Sequence, residues 1–277
     1  MQVLLTGGTG YIGSAVLRVL REHGHDVRAV VRSEESAKVV RDAGAEAEIG
    51  DLADTAWLSG QLRRSDGAIH LAALGPEGDD AVIGAVLEAY AGTTKPFVYT
   101  GGVWIWGDNP AITEESPARP PALTAWRLDP QRHLLGSGLR VSIVSPGIVY
   151  GHGRGIPAGL LAAGPRTESG ALRLIGSGDQ HWTTVHVDDL ADFYVRVLEQ
   201  APGGEHYVAV SGDNPTVREI AESLGGPVAP ESADETRARL GTGFADALLL
   251  DQQATGAKAR SLGWQPTHPG IREGLDN

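Results

Sequence analysis

The seven residues Gly7-Gly8-Thr9-Gly10-Tyr11-Ile12-Gly13 constrain this chain more than any other segment. They satisfy both G-x-x-G-x-x-G and G-x-G-x-x-G. They follow a short apolar run at 2–6 (QVLLT) and precede Ser14–Arg21, whose apolar positions Ala15, Val16, Val19 and Leu20 fall at helical spacing. Gly24 stops that helix, and His25–Arg32 (HDVRAVVR) reads as a second strand. Strand, tight turn, helix and strand make a βαβ unit, and the crossover makes its two strands parallel. In that setting glycines let a backbone approach a pyrophosphate, and the helix N-terminus stabilises its charge. Gly7, Gly10, Tyr11, Ile12 and Gly13 are therefore candidate dinucleotide-binding residues.

The alternation continues. Ser33 with Glu34 and Glu35 looks like an N-cap and acidic first turn, and a short strand at 47–49 precedes Gly50-Asp51-Leu52. A helix over about 54–63, a strand at 67–71, a helix over about 79–91 and strands at 96–100 and 139–145 follow. This pattern predicts an α/β fold, a Rossmann-like doubly wound parallel sheet. After Tyr150 the pattern loosens into Gly- and Pro-rich segments, with a helix expected over 187–199 and a strand over 206–210. A T-x-x-E capping box, Thr216 and Glu219, opens TVREIAESL. The expected organisation is a dinucleotide-binding domain over 1–150, also using 183–200, and a smaller substrate-binding lobe built mainly from 151–277.

Composition narrows the function classes. Among 277 residues, 41% are apolar and 21% charged, as in soluble globular proteins, so disorder is excluded. With no cysteine there is no disulfide framework, thiolate nucleophile or sulfur-ligated zinc. A formal charge of -12 repels nucleic acid phosphates and anionic membranes, so neither is an expected partner. The first apolar run ends in glycines too soon for a signal peptide, and no stretch approaches a membrane span, so the expected location is the cytoplasm. His181 and His186 make no metal site by spacing, no H-E-x-x-H motif occurs, and no metal is expected.

The end of the second strand bears on cofactor choice. NAD-selective sites usually carry an acidic residue there to bond the ribose hydroxyls. This strand ends Val30-Val31-Arg32-Ser33, which offers a guanidinium in place of a carboxylate. Arg32 could fork onto a 2′-phosphate, so the expected cofactor is NADP(H) in preference to NAD(H).

The chain resembles the extended and atypical short-chain dehydrogenase/reductases, the NAD-dependent epimerase/dehydratase-like proteins. The resemblance runs over nearly the whole length: GGTGYIG, Gly50-Asp51-Leu52, His70-Leu71-Ala72-Ala73, Phe97-Val98-Tyr99-Thr100, Pro146-Gly147-Ile148-Val149-Tyr150-Gly151 and Val185-His186-Val187-Asp188-Asp189-Leu190-Ala191. It implies Asp51 and Leu52 at the adenine, Leu71, Ala72 and Ala73 along the cofactor, and Pro146, Ile148 and Val149 beside the nicotinamide. It also makes a homodimer plausible.

The departures from the family pattern carry as much information. Members with dehydrogenase or epimerase chemistry use a Ser or Thr after the 97–100 strand and a Tyr-x-x-x-Lys helix to move the substrate proton. Here those positions fall on Gly102, Leu123 and Arg127, and no tyrosine lies within 100–149. Asp129-Pro130 is expected to restart the helix with Asp129 as N-cap and Pro130 at N1. Arg127 could supply a fixed positive charge at the nicotinamide ribose, but not a proton shuttle. Substitutes near the expected site are Thr100, Tyr150, His152, His181 and His186; of these Tyr150 is best placed by the resemblance. His186 is expected in a structural hydrogen-bond network, with Asp188 and Asp189 as N-cap and first turn of the next helix.

Thr100, Arg127 and Tyr150 are thus the candidate catalytic residues, and Thr100 also joins the cofactor-binding set. Trp104, Trp106, Trp126 and Trp182 suit a bulky apolar ligand, or else are core. The leading expectation is an NADP(H)-dependent oxidoreductase that reduces a small hydrophobic ketone, enone or iminium by hydride transfer. Two alternatives stay open: an NADP(H)-binding sensor or scaffold without turnover, and the same fold reused for a non-redox cyclisation or isomerisation.

Overall fold

The computed structural model describes residues 1–268 and 270–275. The chain begins as strand β1 (Gln2–Thr6), helix α1 (Tyr11–Glu22), β2 (Asp26–Val31), α2 (Glu34–Asp42), β3 (Glu46–Ile49), α3 (Thr55–Arg63), β4 (Gly67–His70), α4 (Pro76–Tyr90) and β5 (Phe97–Thr100). Local chemistry sets these ends. Ser33 Oγ accepts from the Ser36 N–H at 3.2 Å to open α2, and Asp54 Oδ1 accepts from the Trp57 N–H at 3.0 Å to open α3. Each such cap stabilises by about 1 kcal/mol. Pro76 occupies the first turn of α4, where its missing N–H would have no helical partner, so the helix starts three residues earlier than its apolar periodicity suggests.

With the strands Val141–Pro146 and Glu205–Ala209, these form a seven-stranded sheet in the order Glu205–Ala209, Val141–Pro146, β5, β4, β1, β2, β3. The pairings from β3 across to Val141–Pro146 are parallel. The register sets Thr6 opposite Val30 and His70, and Thr100 opposite Val144, so the C-terminal strand ends share one edge. This is the Rossmann-like doubly wound fold. Leu4, Val30, Leu58, Val82, Val86, Tyr90, Phe97, Tyr99 and Ile143 belong to its core, and each large apolar side chain buried there contributes about 1.5–3 kcal/mol. The sheet also buries a cation: Arg28 on β2 is held by Glu48, Gln61 and Ser65.

Two compact units interleave along the chain. The first comprises Met1–Gly101, Arg127–Val144 and Ala191–Tyr207; the second comprises Gly102–Trp126, Ser145–Leu190 and Val208–Asn277. Among the described residues, the second unit has three two-stranded parallel sheets, Ile148–Gly151 with Thr184–His186, Leu172–Arg173 with Val228–Ala229, and Asn109–Ile112 with Gln252–Ala254. Its core gathers Tyr150, Leu161, Leu174, Ile175, Trp182, Val217, Ile220 and Leu248. The Thr216–Glu219 capping box forms as expected, and a second one, Ser232 with Glu235, opens the helix Ala233–Leu240. No helix among the described residues is long and apolar enough to cross a membrane.

Two helix starts differ from expectation. The helix Leu128–Leu135 begins directly after a 3-10 turn, with Arg127 at its N-cap position, so Asp129 and Pro130 both lie inside the first turn. The first-turn amides lack helical acceptors anyway, so Pro130 is tolerated without restarting the helix. The helix Val187–Gln200 likewise begins one residue before Asp188. Its cap is His186, whose Nδ1 accepts from the Asp188 N–H at 3.2 Å, while Asp188 and Asp189 occupy the first turn. Of the four tryptophans, Trp106 and Trp182 are core, and Trp182 Nε1 donates to the Leu248 carbonyl at 2.9 Å. Trp104 and Trp126 are half-buried, and Trp104 meets Phe244 edge-on at 6.1 Å.

Candidate functional site

A groove of about 520 Å³ opens in the first unit at the C-terminal edge of β1, β2 and β4. Its floor is the turn after β1. Gly7 has φ +72°, and a Cβ there would lie 2.6 Å from the Leu71 carbonyl carbon. A Cβ on Gly13 would lie 1.9 Å from Gly7 O, so α1 can sit on the turn only with glycine at that position. Gly10 is the N-cap of α1. No side chain caps that end and no acidic residue sits in its first turn, so the positive end of the helix dipole faces the groove. Backbone amides, a dipole and a floor that admits no Cβ fit the pyrophosphate of a dinucleotide; Gly7, Thr9 and Gly10 would hold it.

The groove brings together Gly7, Gly10, Arg32, Asp51, Leu52, Leu71, Ala72 and Ala73 from the expected cofactor set. Tyr11, Ile12 and Gly13 instead lie on the first turn of α1 behind it, and Pro146, Ile148 and Val149 fall in the second unit. Thr9, Val30, Val31, Ser36, Ala53, Leu74 and Gly78 also line the groove without having been anticipated. Ser36 had a readable signal, since it lies one helical turn after Arg32. Arg32 itself is exposed and makes no hydrogen bond or ion pair among the described residues. Asp51 Oδ1 is turned onto the Ala53 N–H at 2.9 Å.

A buried polar network fills the edge of the same unit. Thr6 Oγ1 accepts from the amides of Leu71 and Ala72 at 3.3 and 3.4 Å, so its proton goes to His70 Nδ1 at 2.7 Å. The neutral His70 ring therefore carries its proton on Nε2, which faces Asp79 Oδ1 across 3.7 Å. Tyr99 OH donates to Asp79 Oδ2 at 2.5 Å, and Arg127 Nη1 lies 3.9 Å from the same oxygen. Burial alone would raise the Asp79 pKa, but His70, the Tyr99 hydroxyl and the Arg127 charge outweigh it and hold the carboxyl below its ordinary range. Burial pushes the hydroxyls of Tyr99 and Tyr194 well above theirs.

The three candidate catalytic residues are all engaged. Thr100 Oγ1 donates to the His70 carbonyl at 2.7 Å and accepts from Tyr194 OH at 2.9 Å. Arg127 reaches Asp79 and, at 3.5 Å, the Thr100 carbonyl. Tyr150 is 1% exposed in the core of the second unit, with its ring edge-on to His186 at 5.3 Å. Leu123, at the position of the family tyrosine, is 42% exposed. His181 pairs through Nδ1 with Asp251 at 2.8 Å. Asp79 escaped sequence reasoning because nothing local marks a carboxylate in an amphipathic helix as buried.

Comparison with known proteins agrees with this architecture. The NmrA-like family matches residues 1–111, and the NAD dependent epimerase/dehydratase family matches residues 132–209. An uncharacterized protein of Schizosaccharomyces pombe is 32% identical over 285 residues, spanning 97% of this chain and 96% of its own. The structure of human epimerase family protein SDR39U1 with NADPH superposes with a TM-score of 0.73 at 23% identity, covering 100% of this chain and 98% of that one. MoeE5 in complex with UDP-glucose and NAD superposes with a TM-score of 0.76 at 24% identity, covering 99% and 96%. The chain belongs to the extended short-chain dehydrogenase/reductase superfamily. Within it, the chain is similar to the NmrA-like and epimerase/dehydratase-like members.

Proposed function

We propose that this protein is an NADP(H)-dependent reductase acting on a small hydrophobic iminium or conjugated enone. The observation that carries the cofactor choice is Arg32, a guanidinium on the groove wall with no partner among the described residues and with the Ser36 hydroxyl beside it. A 2′-phosphate offers such a pair charge-assisted bonds worth about 1.5–3 kcal/mol, which a bare ribose does not. The human relative solved with NADPH supports the same reading.

The substrate class follows from the engaged hydroxyls. Reduced nicotinamide supplies a hydride, and an iminium carbon takes it with loss of charge, whereas an enone takes it as a delocalised enolate. Neither requires an acid at the reacting atom, unlike an ordinary ketone. Thr100 directs its hydroxyl hydrogen bond to the His70 carbonyl, and Tyr150 is enclosed in core. Arg127, charged at any physiological pH, orients an electron-rich group without donating a proton.

The test is titration with NADPH and NADH by tryptophan fluorescence, then anaerobic mixing with iminium, enone and ketone compounds while nicotinamide absorbance is followed. NADPH should bind more tightly, and Arg32→Glu should weaken NADPH by at least about tenfold while barely changing NADH. Oxidation is expected with iminium or enone compounds, and Tyr150→Phe should leave it intact. Equal loss of both cofactors in Arg32→Glu would remove the NADP(H) assignment. Tight binding with no oxidation by any compound would favour the sensor reading, in which the fully engaged Thr100 hydroxyl has no chemical duty.

A further inference from the structure

Far from the groove in sequence, three imidazoles of the second unit converge on one carboxylate oxygen. Asp188 Oδ2 lies 2.8 Å from His152 Nε2, 3.7 Å from His268 Nε2 and 4.0 Å from His186 Nδ1. The ligand atoms of His152, His186 and Asp188 all fall within 4.8 Å of one another. We propose that His152, Asp188 and His268, with the His186 ring stacked behind them, bind a divalent transition-metal ion of the zinc type, leaving its remaining position to water.

The distances bracket what such an ion needs. Ligands at about 2.0–2.1 Å in a tetrahedron stand about 3.3 Å apart, so small side-chain shifts close the set. Protonation is arranged as a ligand set requires. His268 Nδ1 donates to Asp189 Oδ1 at 2.9 Å, and a carboxylate can only accept, so the neutral ring presents Nε2 as a lone pair. That is the carboxylate–histidine pairing found behind metal ligands. Asp189 is itself fixed by the Thr267 amide at 3.0 Å, the Thr267 hydroxyl at 3.2 Å and the His268 amide at 3.1 Å. His186 Nδ1 has its lone pair on the Asp188 amide, so this ring caps the helix and positions Asp188 without binding the ion itself. Its ring stacks on His268 at 3.9 Å with 7° between planes.

The backbone around His152 is built for this placement. His152 has φ 53°, the only positive value for a non-glycine residue among the described residues, between Gly151 at φ +124° and Gly153 at φ +64°. A Cβ on Gly151 would lie 2.4 Å from His186 Nε2, so only glycine lets the loop close over that ring. Strained residues persist where the surroundings impose them, commonly at ligand sites. The helix start at Val187 would repel a cation, but Asp188 and Asp189 in its first turn reverse the local sign. His152 is 56% exposed on its side chain, which leaves an entry path. Imidazole and carboxylate together select zinc-like ions over magnesium. A bound ion would tie the 151–153 loop, the helix start and the 264–268 segment together.

The full chain, free of any affinity tag and stripped with a chelator, is titrated with Co²⁺ by visible absorbance, followed by displacement with Zn²⁺ and with Mg²⁺. Expected are saturable Co²⁺ binding with the strong visible bands of a low-coordinate site, displacement by Zn²⁺ but not by Mg²⁺, and affinity weakened at least about tenfold in both His152→Ala and His268→Ala. His181→Ala, which alters a histidine paired elsewhere, should bind as the unaltered chain does. Circular dichroism of each variant separates lost ligands from lost fold, and His152, being exposed, is the substitution the fold tolerates best. Absence of saturable Co²⁺ binding, unaltered affinity in either ligand variant, or equal weakening by His181→Ala overturns the proposal.

Discussion

The groove behind Gly7 and the network around Asp79 occupy the same unit and handle polarity in opposite ways. In the groove, α1 keeps an uncapped N-terminus and Arg32 has no partner among the described residues, so binding capacity is left open. In the network, Thr6, Tyr99, Thr100 and Tyr194 direct their hydroxyl protons to acceptors within it, while His70 Nε2 and Asp79 Oδ1 face each other at 3.7 Å. An open donor set recognises a ligand; a closed one holds shape and charge. The difference teaches that one unit can leave donors open along a groove while engaging the hydroxyls at its neighbouring strand ends among themselves.

Four changes would break or sharpen that contrast. Gly13→Ala should do the most damage, because the new Cβ meets Gly7 O at 1.9 Å. A loss of about 3 kcal/mol of stability is expected with a fall of about a hundredfold in NADPH affinity, read by thermal melts and fluorescence titration.

Asp79→Asn should destabilise by about 2 kcal/mol, since Asp79 is buried and ionic partners lose their counter-charge. Its pH signature has a definite sign. The folded pKa of Asp79 is depressed, so its contribution is fully present above the unfolded value of about 3.9 and is lost as pH falls through the lower folded value. The melting-temperature gap between the two proteins should therefore be constant near neutrality and shrink below about pH 4. A gap that widens on acidification would mean that Asp79 is not held ionised.

Thr100→Val removes a hydroxyl from between His70 O and Tyr194 OH and should cost about 1–2 kcal/mol. Turnover of an iminium or enone should persist in it; abolished turnover at unchanged stability would make the network chemical. Smallest is Ser33→Ala, which removes the cap of α2 beside Ser36. About 1 kcal/mol of stability should go, with a minor loss of NADPH affinity.

Much of the first unit was legible because its determinants are local. Gly7 to Gly13 specify a turn through sterics within a few residues, Ser33 and Thr216 cap the helices they precede, and apolar periodicity marks the strands. Arg32 could be placed at the sheet edge because it follows a strand whose neighbours are set by the crossover, and it lines the groove there. The second helix region was harder. Asp129-Pro130 reads as a helix start, yet a 3-10 turn from Ala125 feeds the helix directly. At Val187 a histidine ring, not an aspartate, accepts the capping bond. Trp182 carries the same indole whether it faces ligand or core, and only the Leu248 carbonyl at 2.9 Å decides.

What the residue order determined by itself is the doubly wound sheet, the glycine turn after β1 and the charge that follows β2, because each follows from contacts close along the chain or from the parallel crossover they impose. Tertiary structure alone decided that Asp79 is buried against Tyr99 and Arg127, that Thr100 is hydrogen-bonded between the His70 carbonyl and Tyr194, and that His152, His186, Asp188 and His268 meet. Apart from His186 and Asp188, those groups lie tens of residues apart within each set. Their protonation and purpose depend on the distance and burial that only packing supplies.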